Sequence, residues 1–396
     1  MNQLKDNIRH LAKQYQPQVV AIRRHLHAYP ELSGDEKHTA AYIAQHLKEH
    51  HIPFHENVGG GYGIVAFIEG ENPKKSTVAL RADMDALNIT EATGLDFSSQ
   101  NEGVMHACGH DFHVANLLGT AFILNQLKTQ FEGTVMLIFQ PSEEKIPSGA
   151  QQMLEAGIFE ENRPKAIFAL HVDPGIETGK ISTRSGAFLA AADELYITIH
   201  GKGGHGAYPH KCIDPIVIAA QTIITLQTIV SRNVSPFYPA VVGIGHIEGI
   251  GNTNIIPDKV KMSGTIRTFN ASLRNAVQQR IREVVQHTAQ SFGGSATVEI
   301  KKGYPVLIND ATVTQRAIQL LETLLGERQV EKCLMKTGAE DFAFFSKKIP
   351  ATYLRLGVRN RNTKDAAPLH SAAFMLDEDA FETGMIVLSC LAVNEL

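Results

Sequence analysis

Residues 194–199, Glu194-Leu195-Tyr196-Ile197-Thr198-Ile199, read as a strand that opens a segment unlike the chain before it. A long helix follows over roughly 215–231, then strand-like runs at 240–247 and 259–268, a helix over 273–292 and a strand at 297–300. Strand, helix, two strands, helix, strand is the order of a split-βαβ, ferredoxin-like unit. Upstream, short apolar runs at 63–68, 77–80, 134–139 and 166–170 alternate with helical stretches such as 117–127. That alternation predicts an α/β layer with helices on both faces. After Tyr304 the first pattern resumes, with a helix near 313–325 and a strand at 352–357. The expected architecture is a discontinuous α/β domain, 1–189 and 304–396, with a smaller α+β domain inserted at 190–303. A length of 396 residues also favours two domains.

Two helices precede the first sheet runs. One breaks at Tyr29-Pro30, and the next is expected to start at a capping signature, Ser33 with Glu36 three residues on. The glycines of Gly59-Gly60-Gly61-Tyr62-Gly63 precede a strand instead of leading from a strand into a helix. A turn accounts for them better than a dinucleotide-binding oxidoreductase motif.

Composition narrows the partners. Lys plus Arg number 37 against 41 Asp plus Glu, a formal net charge of −4 that gives no electrostatic case for nucleic acid or an anionic membrane. The opening residues lack a signal-peptide core, and no later run reads as a membrane span. Cys108, Cys212, Cys333 and Cys390 are too scattered for a disulfide framework, so a reducing, cytoplasmic compartment is expected. Eighteen histidines are many for this length and direct attention to metal ligation.

Ionisable residues follow three successive strands of the main domain: Asp83 and Asp85 after 77–80, Glu143 and Glu144 after 134–139, and His171 after 166–170. In open α/β sheets the functional crevice lies beyond the carboxyl ends of the strands. Any one of these residues could simply cap a helix; three together point to a site. The strongest local signal is His106-Ala107-Cys108-Gly109-His110-Asp111. Cys108 and His110 are spaced to face one metal centre, and the glycine between them relaxes the backbone. Thiolate, imidazole and carboxylate suit zinc, manganese, cobalt or nickel. His106 and His113 read as groups behind the ligands or on the helix face. In the adjacent pair Glu143-Glu144, one carboxylate can bind metal while the other holds a water.

These segments resemble the amidohydrolase group of two-metal metallopeptidases, which includes indole-acetyl-amino-acid hydrolases, hippurate hydrolases, aminoacylases and N-acetyl-diaminopimelate deacetylases. The resemblance also rests on Arg24-His25-Leu26-His27, Pro30-Glu31-Leu32, Arg81 to Leu87, Gln140-Pro141-Ser142-Glu143-Glu144 and Gly203 to His210. Farther on it continues through Asn254-Ile255-Ile256-Pro257, Gly264-Thr265-Ile266-Arg267, Gly338 to Phe342 and Leu369-His370-Ser371, in order over essentially the whole chain.

What the resemblance implies is a metallopeptidase-like catalytic domain with an inserted lid or dimerisation domain, working as a homodimer. It implies two divalent ions per subunit held by Cys108, His110, Glu144, His171 and His370, with Cys108 bridging them. Glu143 would be the catalytic base and His205, from the partner subunit, would reach the substrate carbonyl. Asp83 and Asp85 would support the ligands. Asn254 and Arg267 are candidates to grip the substrate, although an internal ion pair would equally account for Arg267. The implied substrate is an N-acyl amino acid, or alternatively a dipeptide or peptide C-terminus. Asn88 and Lys145-Ile146-Pro147-Ser148 depart from the pattern, the latter beside the site, where they bear on substrate preference. Two other readings compete: a metal-free thiol hydrolase with Cys108 as nucleophile, and a catalytically silent metal-binding homologue.

Overall fold

The runs that read as buried strands form one eight-stranded sheet. In the computed structural model, which describes residues 2–363 and 365–396, its strand order is Phe54–Val58, Gly63–Glu69, Thr134–Gln140, Thr77–Asp83, Ala166–Glu177, Ala351–Arg359, Ile181–Thr183 and Val330–Lys332. The four central strands run parallel, with Val78 level with both Val135 and Ala166. Parallel strands covered on both faces lose polar alternation, and Thr134–Gln140 is buried along its whole length. Asp83 pairs with Gln140, and Arg81 with Ala169, so the ends of three strands reach the same edge. The glycine run is the turn of an antiparallel hairpin, with Gly59 at φ +77° and Gly60 at +72°.

Three helical details differ from the sequence expectation. The helix expected from 117 starts at His110 and runs to Gln126. It is buried on every side from His110 to Leu124, so no apolar stripe marks its start. Ser33 does not cap the helix Lys37–Glu49; the amides of His38 and Thr39 donate to Glu31 instead. Ser33 Oγ donates to Asp85 Oδ2 at 2.6 Å, and the Glu36 carboxylate faces Gly34 and Ser142. A final helix, Ala380–Glu395, absent from the sequence reading, packs against Asn2–Ala28 and His110–Gln126, with Phe381 stacked on Phe112.

The chain divides into two compact units. One holds the eight-stranded sheet and comprises residues up to Phe188, Ile308–Leu334 and Phe344–Leu396; the other comprises Leu189–Leu307 and Met335–Ala343. The second unit carries an antiparallel sheet in the order Ala240–Glu248, Lys259–Thr268, Ala191–His200, Ser295–Lys302. Helices Pro215–Thr228 and Ala271–Ser291 cover it through Ile218, Leu226, Ile281 and Val285, which is the ferredoxin-like arrangement. One helix, Pro215–Asn233, is long and apolar enough to cross a membrane by length and composition alone, a test that a helix packed in a protein core also passes. Its Ile218, Ala219, Thr222, Leu226 and Ile229 are buried in this unit.

Candidate metal centre and active site

Six of the residues singled out in the sequence converge in the first unit. Cys108, His110 and His171 offer donor atoms that all lie within 4.8 Å of one another. The same holds for Cys108, Glu144 and His370, and for His110, Glu143 and Glu144. Cys108 Sγ stands 3.5 Å from His171 Nε2, and His370 Nε2 stands 3.1 Å from Glu144 Oε1. Because the three sets share Cys108, His110 and Glu144, they form one cluster.

Local backbone aims these side chains. Gly109 has φ +84°, and a Cβ there would meet Val172 Cγ2 at 2.5 Å. Only glycine takes that turn freely, and the turn separates Cys108 from the helix that begins at His110. His370 also holds a left-handed backbone, φ +63°, with its amide donating to Ala107 O at 2.8 Å. Backbone strain of this kind gathers at functional sites.

Behind the cluster, two aspartates set the rings. His110 Nδ1 donates to Asp85 O at 2.9 Å, with Asp85 Oδ1 at 3.2 Å. His110 Nε2 is buried and makes no hydrogen bond among the described residues, with Asp83 Oδ2 at 3.7 Å. Asp83 accepts from Arg81 Nη1 at 2.6 Å and from His113 Nδ1 at 2.5 Å. His113 Nε2 in turn accepts from Val172 N at 3.0 Å. Asp83, His110 and His113 are close enough to hold an ion, but both nitrogens of His113 are already engaged. Farther back, buried Asp111 accepts from Arg23 Nε at 2.7 Å and from His27 Nδ1 at 2.8 Å.

The electrostatics fit a cation. Contacts with Cys108 and Glu144 push the pKa of His370 up to about 10. Burial opposes charge on His110, but Asp83, Cys108 and Asp85 outweigh it and lift the ring well above its ordinary range. Burial, with the neighbouring charges of His113 and Arg355, holds His171 well below. His106, enclosed and with no side-chain hydrogen-bond partner among the described residues, is pushed down to about 4 by burial. A donor set that raises proton affinity at two histidines, and that leaves His110 Nε2 buried without a hydrogen bond and 3.7 Å from Asp83 Oδ2, is suited to a divalent ion in place of those protons.

The other three candidates lie in the second unit. His205 and Asn254 are brought together: His205 pairs with Ile255 across a two-residue ladder, and Gly206 N donates to Asn254 O at 2.8 Å. His205 is exposed, and its Nδ1 accepts from Ala207 N at 3.1 Å, which leaves the ring proton on Nε2. Arg267 is half-buried on Lys259–Thr268, and its side chain makes no hydrogen bond or ion pair among the described residues. The neighbouring Asp193 is engaged by Arg274 and by Gln278 Nε2 at 2.6 Å instead. Burial lowers the pKa of Arg267. Sequence reasoning named Glu36 and Ser142 but missed their contact, which spans 106 positions. The left-handed Ser142 had no local signal.

An α/β sheet with a parallel centre, beside whose strand ends a thiol, imidazoles and paired carboxylates gather, defines a metallohydrolase class. The chain belongs to peptidase family M20/M25/M40, whose family model it matches over residues 79–394. It is 39% identical to the N-acetylcysteine deacetylase of Bacillus subtilis, over 96% of this chain and 97% of that protein. It is 38% identical to thermostable carboxypeptidase 1 of Saccharolobus solfataricus, over 100% and 98% respectively. Its fold superposes with a TM-score of 0.83 on the Bacillus subtilis YXEP protein, described as a dinuclear metal binding peptidase of the M20 family. That match has 36% identity and covers 96% of this chain and 98% of the other. The chain is thus a hydrolase of this family.

Proposed function

We propose that this enzyme hydrolyses the amide bond of N-acyl amino acids, using two divalent ions held by Cys108, His110, Glu144, His171 and His370. The observation that carries this reading is the convergence of those five residues with Glu143 beside Glu144. Cys108, His110 and Glu144 each belong to more than one of the donor sets, so the sets would hold neighbouring ions with shared residues. Manganese, zinc, cobalt and nickel all suit the donors. When bound, such ions polarise the carbonyl and make a water acidic enough to attack near neutral pH.

The chain's own residues do the rest. Glu143, buried next to Glu144, takes the proton of the attacking water and delivers it to the leaving nitrogen. His205, with its proton on Nε2, donates to the developing oxyanion from a partner subunit in a homodimer joined through the second unit. Asn254 and half-buried Arg267 grip the substrate, the guanidinium pairing with its carboxylate. The first unit is the catalytic domain and the second the lid. We place the enzyme in the cytoplasm, in keeping with its four free cysteines.

Cleavage of the last peptide bond, the activity named for the Saccharolobus relative, presents the same bond with a longer acyl group. A panel of N-acetyl, N-aroyl and dipeptide substrates separates the two by relative kcat/KM. The catalytic reading is tested with Glu143→Ala: turnover should fall by about 10²–10⁴-fold while bound metal stays constant. Retained turnover would remove Glu143 as the base. A chelator should abolish activity and added divalent metal restore it; survival would favour Cys108 as the nucleophile of a thiol hydrolase instead.

A further inference from the structure

The loop carrying the carboxylate pair is fastened by a carboxylate that the mechanism above does not use. Ser142, immediately before Glu143, has φ +53°, a left-handed backbone that costs free energy for any residue with a Cβ. Its amide donates to Glu36 Oε1 at 2.7 Å, and its hydroxyl reaches the same oxygen at 3.2 Å. Glu36 Oε2 accepts from Gly34 N at 2.9 Å. Glu36 is fully buried, just before the helix Lys37–Glu49, although it caps nothing there. On the other side of the pair, Glu144 N donates to Asp85 Oδ2 at 2.9 Å. Glu143 is therefore flanked by two backbone amides, each held by a buried carboxylate from a distant part of the chain.

We propose that Glu36 is a positioning residue, holding the left-handed backbone of Ser142 so that the Glu143 carboxylate meets the attacking water. The proposal rests on Glu143 as the base. The chemistry calls for a carboxylate: Gly34 N, Ser142 N and Ser142 Oγ all donate to Glu36, shared between its two oxygens. A glutamine would turn its own donor towards one of them. A residue serving the fold alone would have no reason to act through the conformation of Ser142, and that difference is measurable.

In the metal-loaded enzyme, Glu36→Ala should lower kcat by about 10²-fold with KM changed far less. In the metal-free protein, a peptide spanning Ser142 should exchange its amide hydrogens faster in the same variant. Adding Ser142→Gly to Glu36→Ala should recover most of the lost kcat, since glycine takes φ +53° unaided. A general folding defect would gain nothing from that glycine. Glu36→Gln, which keeps one acceptor, should give an intermediate loss, and it serves if the alanine variant does not fold. Unchanged kcat in both Glu36 variants, unchanged exchange at Ser142, or a loss that the glycine leaves untouched would overturn the proposal. Failure of the base assignment shows separately, as turnover retained by Glu143→Ala, while exchange at Ser142 still reports on the clamp.

Discussion

Gly109 joins two demands at one residue: a left-handed backbone, and no side chain where Val172 Cγ2 approaches. Gly60 has the same sign of φ but open space around its missing Cβ. The two positions therefore separate backbone strain from collision. Gly60→Ala should cost only the strain, about 1–2 kcal/mol. Gly109→Ala should cost more, and it should also weaken metal binding, because Cys108 and His110 flank it. Denaturant unfolding and metal titration of both variants check this; equal costs would mean that Val172 gives way. At this scale the sequence disclosed the chemistry-bearing side chains, since Cys108, His110, Glu143, Glu144 and His171 stand beside strand ends or in one short run. It concealed the clamp. Ser33 and Glu36 carry the residue types of a capping box, and only tertiary approach shows that Asp85 and Ser142 receive them instead.

Helices and strands were legible wherever one face meets solvent or a strand is apolar along its length. The start of the helix at His110 was not, because His110, Asp111 and His113 in its first turn are polar yet buried. Three other histidines, partly covered by aromatic rings, show what contact between elements does. His25 stacks on Tyr42 with centroids 4.0 Å apart, His50 on Phe122 at 3.6 Å, and His46 meets Tyr42 edge-on at 4.6 Å. They join the helices Asn2–Ala28, Lys37–Glu49 and His110–Gln126, and burial lowers the pKa of each. Glu49 offsets part of that effect at His46 and His50. A lowered histidine pKa means that the unfolded chain binds the proton first. Stability should therefore fall as pH drops below about 6.5. His46→Gln should flatten the dependence of Tm on pH between 7.5 and 5.5, because it removes one of these titrations. A slope equal to that of the wild type would show that this cluster does not set acid sensitivity.

For the whole molecule, the role proposed for His205 turns on which subunit supplies it. The donor cluster and Glu143 belong to the first unit, whereas His205 belongs to the second. If His205 acts within its own chain, every active site is complete in one subunit. If it acts in a partner, each site of a two-fold dimer borrows the second unit of its neighbour. Mixing two inactive variants distinguishes these cases. A dimer of Glu143→Ala with His205→Ala would hold one site lacking both groups and one site lacking neither. After exchange from an equal mixture, half of the dimers would be mixed, so activity should recover to about a quarter of wild type. His205→Ala alone should lose about 10²–10³-fold in kcat with metal content intact. Action within one chain predicts no recovery, since each subunit would still lack one group. The experiment also bears on why the second unit interrupts the first. An insertion that supplies an oxyanion donor in trans couples catalysis to assembly, so activity should fall on dilution in step with dimer dissociation, as followed by sedimentation.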